Sequence, residues 1–166
     1  MASDRRKNLS RRASYVLTRK LALSAEALDT DKASYIGICR IIDIEPTFFI
    51  RPAHVSPYLF GLAPRVLLRT RAKNIKIYPV LMPETIDLLH VSGVRVIGID
   101  TPSIDAPASV DKTAYTRIAE YGMAILTNLE LGSMPMGDYE LMALAAPQSA
   151  IEKSTPSRAI LKPLAA

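Results

Sequence analysis

Tryptophan is absent from the 166 residues, histidine occurs twice and cysteine once. Each scarcity closes off a chemistry. The single cysteine, Cys39, permits no intrachain disulfide and no thiolate cluster, which makes a reducing, cytoplasmic setting the expectation. Flanked by isoleucines, it reads as a small buried hydrophobe. With three phenylalanines and no tryptophan, the chain lacks the aromatic platforms on which single-stranded bases stack. No run approaches the ~18 consecutive apolar residues of a membrane span, and the amino terminus has no apolar signal core. Neither nucleic acid nor a membrane is expected as a partner.

The surplus of positive charge is local. The chain carries +5, and residues 1–30 hold seven Lys/Arg against Asp4, Glu26 and Asp29, so the body is nearly neutral. Residues 1–34 read as a basic, flexible leader without a strand, at most a short helix lined by Tyr15, Val16, Leu17, Leu21 and Leu23. The mixture of Arg and Ser there also has the look of an organellar presequence, for which a solvated tail is the simpler account. Arg11-Arg12-Ala13-Ser14 has the form of a basophilic phosphorylation site, a match short enough to arise by chance.

What is present, from residue 35 to 166, is enough apolar sequence for one domain: 49% of all positions are hydrophobic. Tyr35 to Ile44 is rich in isoleucine and stops before Pro46, which predicts a strand, and Val66 to Leu68 predict a second. Residues 45–63, with Pro46, Pro52, Pro57 and Gly61, read as connection. Pro83 opens a helix at its first position, Glu84 and Asp87 complement its positive end, and Gly93 supplies a left-handed cap. Ser109 is expected to cap a second helix, with Asp111 in its first turn and Gly122 ending it. Met123 to Leu131, Tyr139 to Ala145 after a Gly137-Asp138 turn, and Arg158 to Leu161 complete the strands. The pattern is α/β, with a mixed sheet and about two helices.

The densest stretch is Gly93-Val-Arg-Val-Ile-Gly-Ile-Asp-Thr-Pro-Ser-Ile-Asp105. Val94, Val96, Ile97 and Ile99 suit a strand covered on both faces, and Pro102 bars its ladder from continuing. Asp100, Thr101, Ser103 and Asp105 therefore fall at a strand's carboxyl end, where open α/β sheets place ligands. Turn-forming bonds from side chain to backbone explain the same residue types. His54, between prolines, reads as a loop side chain, and His90 suits the dipole at a helix end.

The same stretch resembles a signature of the bacterial kynurenine formamidase (arylformamidase) branch of the metal-dependent cyclase-like hydrolases. Further matching pieces follow in order: Tyr35-Ile-Gly-Ile-Cys-Arg-Ile-Ile-Asp43, Pro64 to Thr70, Pro83 to Leu89, Gly122 to Leu126, Gly137 to Leu144 and Pro156 to Leu161. The resemblance covers residues 35–166 and not the leader. It implies a swivelling β/β/α domain, a small barrel-like mixed sheet with helices outside, assembled as a homodimer. Here that domain is expected to be the family's C-terminal two-thirds, missing its N-terminal strands. It also implies an activity, hydrolysis of N-formyl-L-kynurenine to L-kynurenine and formate in tryptophan degradation.

Such a hydrolysis needs a group that ionises water and one that holds the oxyanion, and a zinc or manganese site supplies both. In the family most ligands come from an early His-x-Gly-Thr-His-x-Asp-x-Pro-x-His motif, which this chain lacks throughout. Of the family's later ligands, the resemblance places the glutamate at Glu140 and puts Tyr115 where a histidine belongs. Tyr121 stands at a neighbouring position that often carries His. The family's substrate-facing tryptophan has no counterpart. The resemblance thus implies a degenerate metal site with no metal bound, no catalytic residue, and a chain inactive by itself, truncated or rearranged at its start. An interaction partner, through a homo-oligomer or pairing with a full-length homologue, is the alternative. A third reading is an active site rebuilt from His54, Asp100, Asp105 and Glu140.

Overall fold

The computed structural model describes residues 15–16, 21–24, 35–61, 63–74, 76–145 and 154–164. Ten strands and three helices follow one another along the described chain. They are β1 (Tyr15–Val16), β2 (Leu21–Ser24), β3 (Ile36–Asp43), β4 (Phe49–Ile50), α1 (Pro52–Val55), β5 (Arg65–Arg69), β6 (Val80–Leu81), α2 (Pro83–Val91), β7 (Val96–Ile99), α3 (Thr113–Glu120), β8 (Ala124–Leu126), β9 (Gly137–Ala145) and β10 (Ser154–Pro163). Eight strands form one sheet in the order β1-β10-β2-β8-β7-β5-β3-β9, and β9 also pairs with β10. That last pairing closes seven of the eight strands into a barrel, and β1 pairs with β10 alone. The strands β3, β5, β7 and β8 run parallel, while β2, β9 and β10 are antiparallel to their neighbours. The expected mixed α/β sheet is therefore present.

Period-two alternation divides the apolar residues between two cores. Cys39, Ile41, Leu67, Val96, Leu126, Tyr139, Leu141, Ala159 and Leu161 fill the barrel. Ile42, Val66, Leu68, Ile97, Ile99 and Ile125, one residue away on the same strands, meet Ile86 and Leu89 of α2 and Ala114 and Ile118 of α3. Both faces of β7 are covered, which is why its sequence reads as an unbroken apolar run. Inside the barrel Gly98 marks the tightest point. A Cβ there would lie 2.4 Å from Leu67 Cδ2 and 2.7 Å from Leu129 Cδ1.

Helix α2 starts on Pro83 and ends as its sequence indicates: Gly93, at φ +86°, donates to His90 O at 2.9 Å, and Val94 donates to Leu89 O at 3.0 Å. Elsewhere the structure departs from the sequence pattern. Two strands, β1 and β2, lie within residues 1–34, where none was expected; they exist by pairing with β10 and β8 rather than by local preference. The other residues of the leader, with Ser14 and the arginines before it, lie outside the described residues. Ser109 does not cap α3; it accepts from Lys112 N–H at 3.3 Å in the preceding turn, and Asp111 also precedes the helix. The eighth strand is confined to Ala124–Leu126, and Gly137-Asp138 belongs to β9 rather than to a turn. Among the described residues no helix is long and apolar enough to cross a membrane.

Candidate functional site

Three parallel strands end at a common level, and each ends in polar residues: Asp43 closing β3, Arg69 closing β5 with Thr70-Arg71 after it, and Asp100-Thr101 after β7. The register places Asp43 opposite Arg69 and Leu68 opposite Ile99. This is the carboxyl rim, the end of the sheet where α/β folds bind ligands.

Arg69 is only 5% exposed and grips Asp43 with two nitrogens, Nε on Oδ1 and Nη2 on Oδ2 at 2.7 Å. Its third nitrogen, Nη1, donates to Leu131 O at 3.3 Å, so each nitrogen of the buried guanidinium donates at least once. Asp43 is held below its ordinary value first by the bond from Arg69, with a smaller contribution from Arg71. A second guanidinium stands on the same carboxylate: Arg71 Nη2 donates to Asp43 Oδ2 at 2.9 Å.

Asp100 organises the backbone beneath Arg71. Its carboxylate accepts from Thr70 N–H, from Thr70 Oγ1 at 2.7 Å and from Arg71 N–H at 2.8 Å. Those bonds fix a turn in which Arg71 takes φ 56°, a left-handed conformation that a residue with a Cβ adopts only when its surroundings hold it there. Asp105 performs a different task. Buried, it accepts from Ala114 N–H at 2.9 Å and Tyr115 N–H at 3.0 Å, and so caps α3 from outside the helix. Thr101 Oγ1 donates to Ser103 O at 2.7 Å, and Ser103 Oγ accepts from Asp105 N–H at 3.1 Å. The rim thus divides in two: Asp100 belongs with the arginines, while Thr101, Ser103 and Asp105 form the turn leading to α3.

The remaining candidates lie apart. His54 Nδ1 accepts from Arg51 N–H at 2.9 Å at the start of α1. His90 stacks on Tyr121, with ring centroids 4.0 Å apart, and the Tyr121 hydroxyl donates to Asp87 at 2.8 Å. Tyr115 is half-buried, and burial raises its phenol above the ordinary value of 10, so it stays neutral. Glu140 lies on the outer wall of the barrel, beside Lys162 at 3.8 Å. Among the described residues no three His, Cys, Asp or Glu side chains gather as metal ligands would. The described donors do not fit a catalytic zinc or manganese centre, since Glu140 offers one carboxylate and its neighbour is an ammonium.

Sequence reasoning missed Asp43, Arg69 and Arg71. The available signal was that apolar runs in three successive strands break into charge at the same depth, with opposite signs on the first two.

No protein-family model matches the chain. Solved structures do resemble it in shape. A predicted metal-dependent hydrolase from Bacillus stearothermophilus superposes with a TM-score of 0.69 at 15% identity, over 90% of this chain and 86% of that one. This chain has the same fold. A potential metal-dependent hydrolase with cyclase activity gives a TM-score of 0.71 at 16% identity, with the same coverage. An isatin hydrolase bound to the product analogue thioisatinate gives 0.59 at 16% identity, over 86% of this chain and 71% of that one.

Proposed function

We propose that this chain belongs to the lineage of metal-dependent cyclase-like hydrolases, similar in motif to the arylformamidases, and that by itself it does not hydrolyse N-formyl-L-kynurenine. The lineage is supported by the motifs between residues 35 and 166 together with the shared fold. The loss of turnover is supported by one observation: the four candidate side chains for a metal each have another partner. Glu140 faces Lys162, Asp100 secures the Thr70–Arg71 turn, Asp105 caps α3, and His54 accepts from Arg51 N–H. The same engagements weigh against a site rebuilt from His54, Asp100, Asp105 and Glu140.

Purified protein supplied with zinc or manganese tests the proposal. The expected result is no stoichiometric metal and no release of formate from N-formyl-L-kynurenine. Stoichiometric metal with turnover overturns it.

A second reading, in which the chain works by association, is favoured by the outer wall of the barrel. Ile36, Ile38 and Met142 are 44%, 45% and 36% exposed there, and the register sets Ile36 opposite Met142 and Met142 opposite Ile160. Beside this apolar row lies the Glu140–Lys162 pair, which a two-fold axis would let two copies exchange. Light scattering at micromolar concentration is expected to give a homo-oligomer; a clean monomer counts against it.

A further inference from the structure

Arg69 and Arg71 share one carboxylate and are used in different ways. Arg69 is buried and has every nitrogen donating. Arg71 has a side chain 55% exposed, and only its Nη2 is occupied, on Asp43. Among the described residues its Nε and Nη1 donate to nothing. Arg69 already takes both oxygens of Asp43, so Arg71 adds one bond to a carboxylate that is held without it, while Asp100 offsets the charge of Arg71 and bonds its backbone rather than its guanidinium. Arg71 is also the more elaborately held of the two. Three donors of the 70–71 segment converge on Asp100 to keep Arg71 at φ 56°, and that turn aims the side chain back over the rim. A long side chain tethered at one nitrogen, with the rest of its fork in solvent, has surrendered much of the rotamer entropy that ligand binding would otherwise cost.

We propose that Arg71 is a binding site for a small organic carboxylate, presented by Asp43 and Asp100 at the carboxyl rim of the sheet. Nη2 has a second N–H, and that N–H with its neighbour Nε or Nη1 makes one edge of the planar fork, which matches a carboxylate with two parallel bonds. An anion with an apolar body is the ligand class that the neighbouring segments suggest. Lys73 and Lys76 follow on the same exposed loop, and exposed Phe48, Phe49 and Ile77 stand on the segments leaving β3 and β5. Those two segments are joined where Val80 N–H donates to Phe48 O at 3.0 Å. The site is independent of whether the chain hydrolyses a formamide.

Calorimetric titration of the full-length chain with benzoate tests the proposal, with inorganic phosphate as the second arm. Saturable benzoate binding is expected, with a dissociation constant of about a millimolar for one charged fork. Arg71→Ala is expected to weaken it about tenfold, and Arg71→Lys, which keeps the charge and loses the fork, at least about threefold. Because Arg71 is exposed, both variants should retain the wild-type circular dichroism spectrum. Absence of saturable binding, benzoate binding unchanged in Arg71→Ala, or phosphate bound more tightly than benzoate would each overturn the assignment.

Discussion

Asp43 and Arg69 face each other across β3 and β5 as register partners, and their side chains form a two-nitrogen ion pair at the point where both strands end. A parallel pair of strands must leave the sheet at this level, and the bond ties the two departing segments together. Ile44 continues the tie, donating to Arg69 O at 2.9 Å.

Replacing Asp43 by Ala leaves the Arg69 guanidinium buried without its partner, a loss that costs about 3 kcal/mol in comparable buried pairs. Urea denaturation at pH 7 should show that destabilisation, with an unchanged slope. Arg69 holds the Asp43 carboxyl below its ordinary value of 3.8, and Arg40 does the same for Asp138. A carboxyl depressed by folding stabilises fully above its unfolded value and loses that contribution as pH falls through the folded one. The gap between wild type and Asp43→Ala should therefore be complete at pH 7 and shrink below about pH 4.

Asp105 is the cap that sequence inspection assigned to Ser109. Its two oxygens serve Ala114 and Tyr115, so Asp105→Ala would orphan two amides at the start of α3 and should cost about 1–2 kcal/mol. Ser109→Ala, by contrast, should cost about half a kilocalorie per mole or less. Amide exchange at Ala114 and Tyr115 separates the two, since only the Asp105 variant should speed it.

The contrast shows which features a sequence displays. The α2 boundaries were legible because Pro83 and Gly93 act through their own backbones. The β7 strand was legible because burial on both faces leaves a continuous apolar run. The α3 cap was not, because Asp105 reaches it across an intervening loop whose shape no local preference states. The Asp43–Arg69 pair depends on the register of two strands far apart in sequence, and β1 and β2 depend on β10. Gly137 reads as a turn residue beside Asp138, yet it opens a strand, at a φ of 151° that favours glycine. Asp100 stands at the end of β7 as its sequence indicates, but the arginines and Asp43 beside it come from strands whose polar ends were not compared.

Inside the barrel, Gly98→Ala should be poorly tolerated. The added methyl would press on Leu67 and Leu129 within 2.7 Å, closer than non-bonded carbons approach, so side chains in a closed ring must shift. Overpacking of this kind costs about 1–3 kcal/mol, readable as a lowered melting temperature. Gly132→Ala, where a Cβ meets nothing within 4 Å, is the matched control and should change the melting temperature little.

Cys39 sits at the centre of the same barrel, and burial pushes its thiol up to about 12, outweighing the lowering influence of Arg65. Since the thiolate is the reactive form, it should be scarce at neutral pH, and the packed interior denies access to what little forms. Iodoacetamide at pH 8 is expected to leave the native chain unlabelled over hours and to label it within minutes in denaturant, as followed by mass spectrometry. Rapid labelling of the native chain would mean that the barrel opens readily. Comparing the labelling rate of wild type with that of Gly98→Ala then reads how far a strained ring has loosened, because both residues face the same interior.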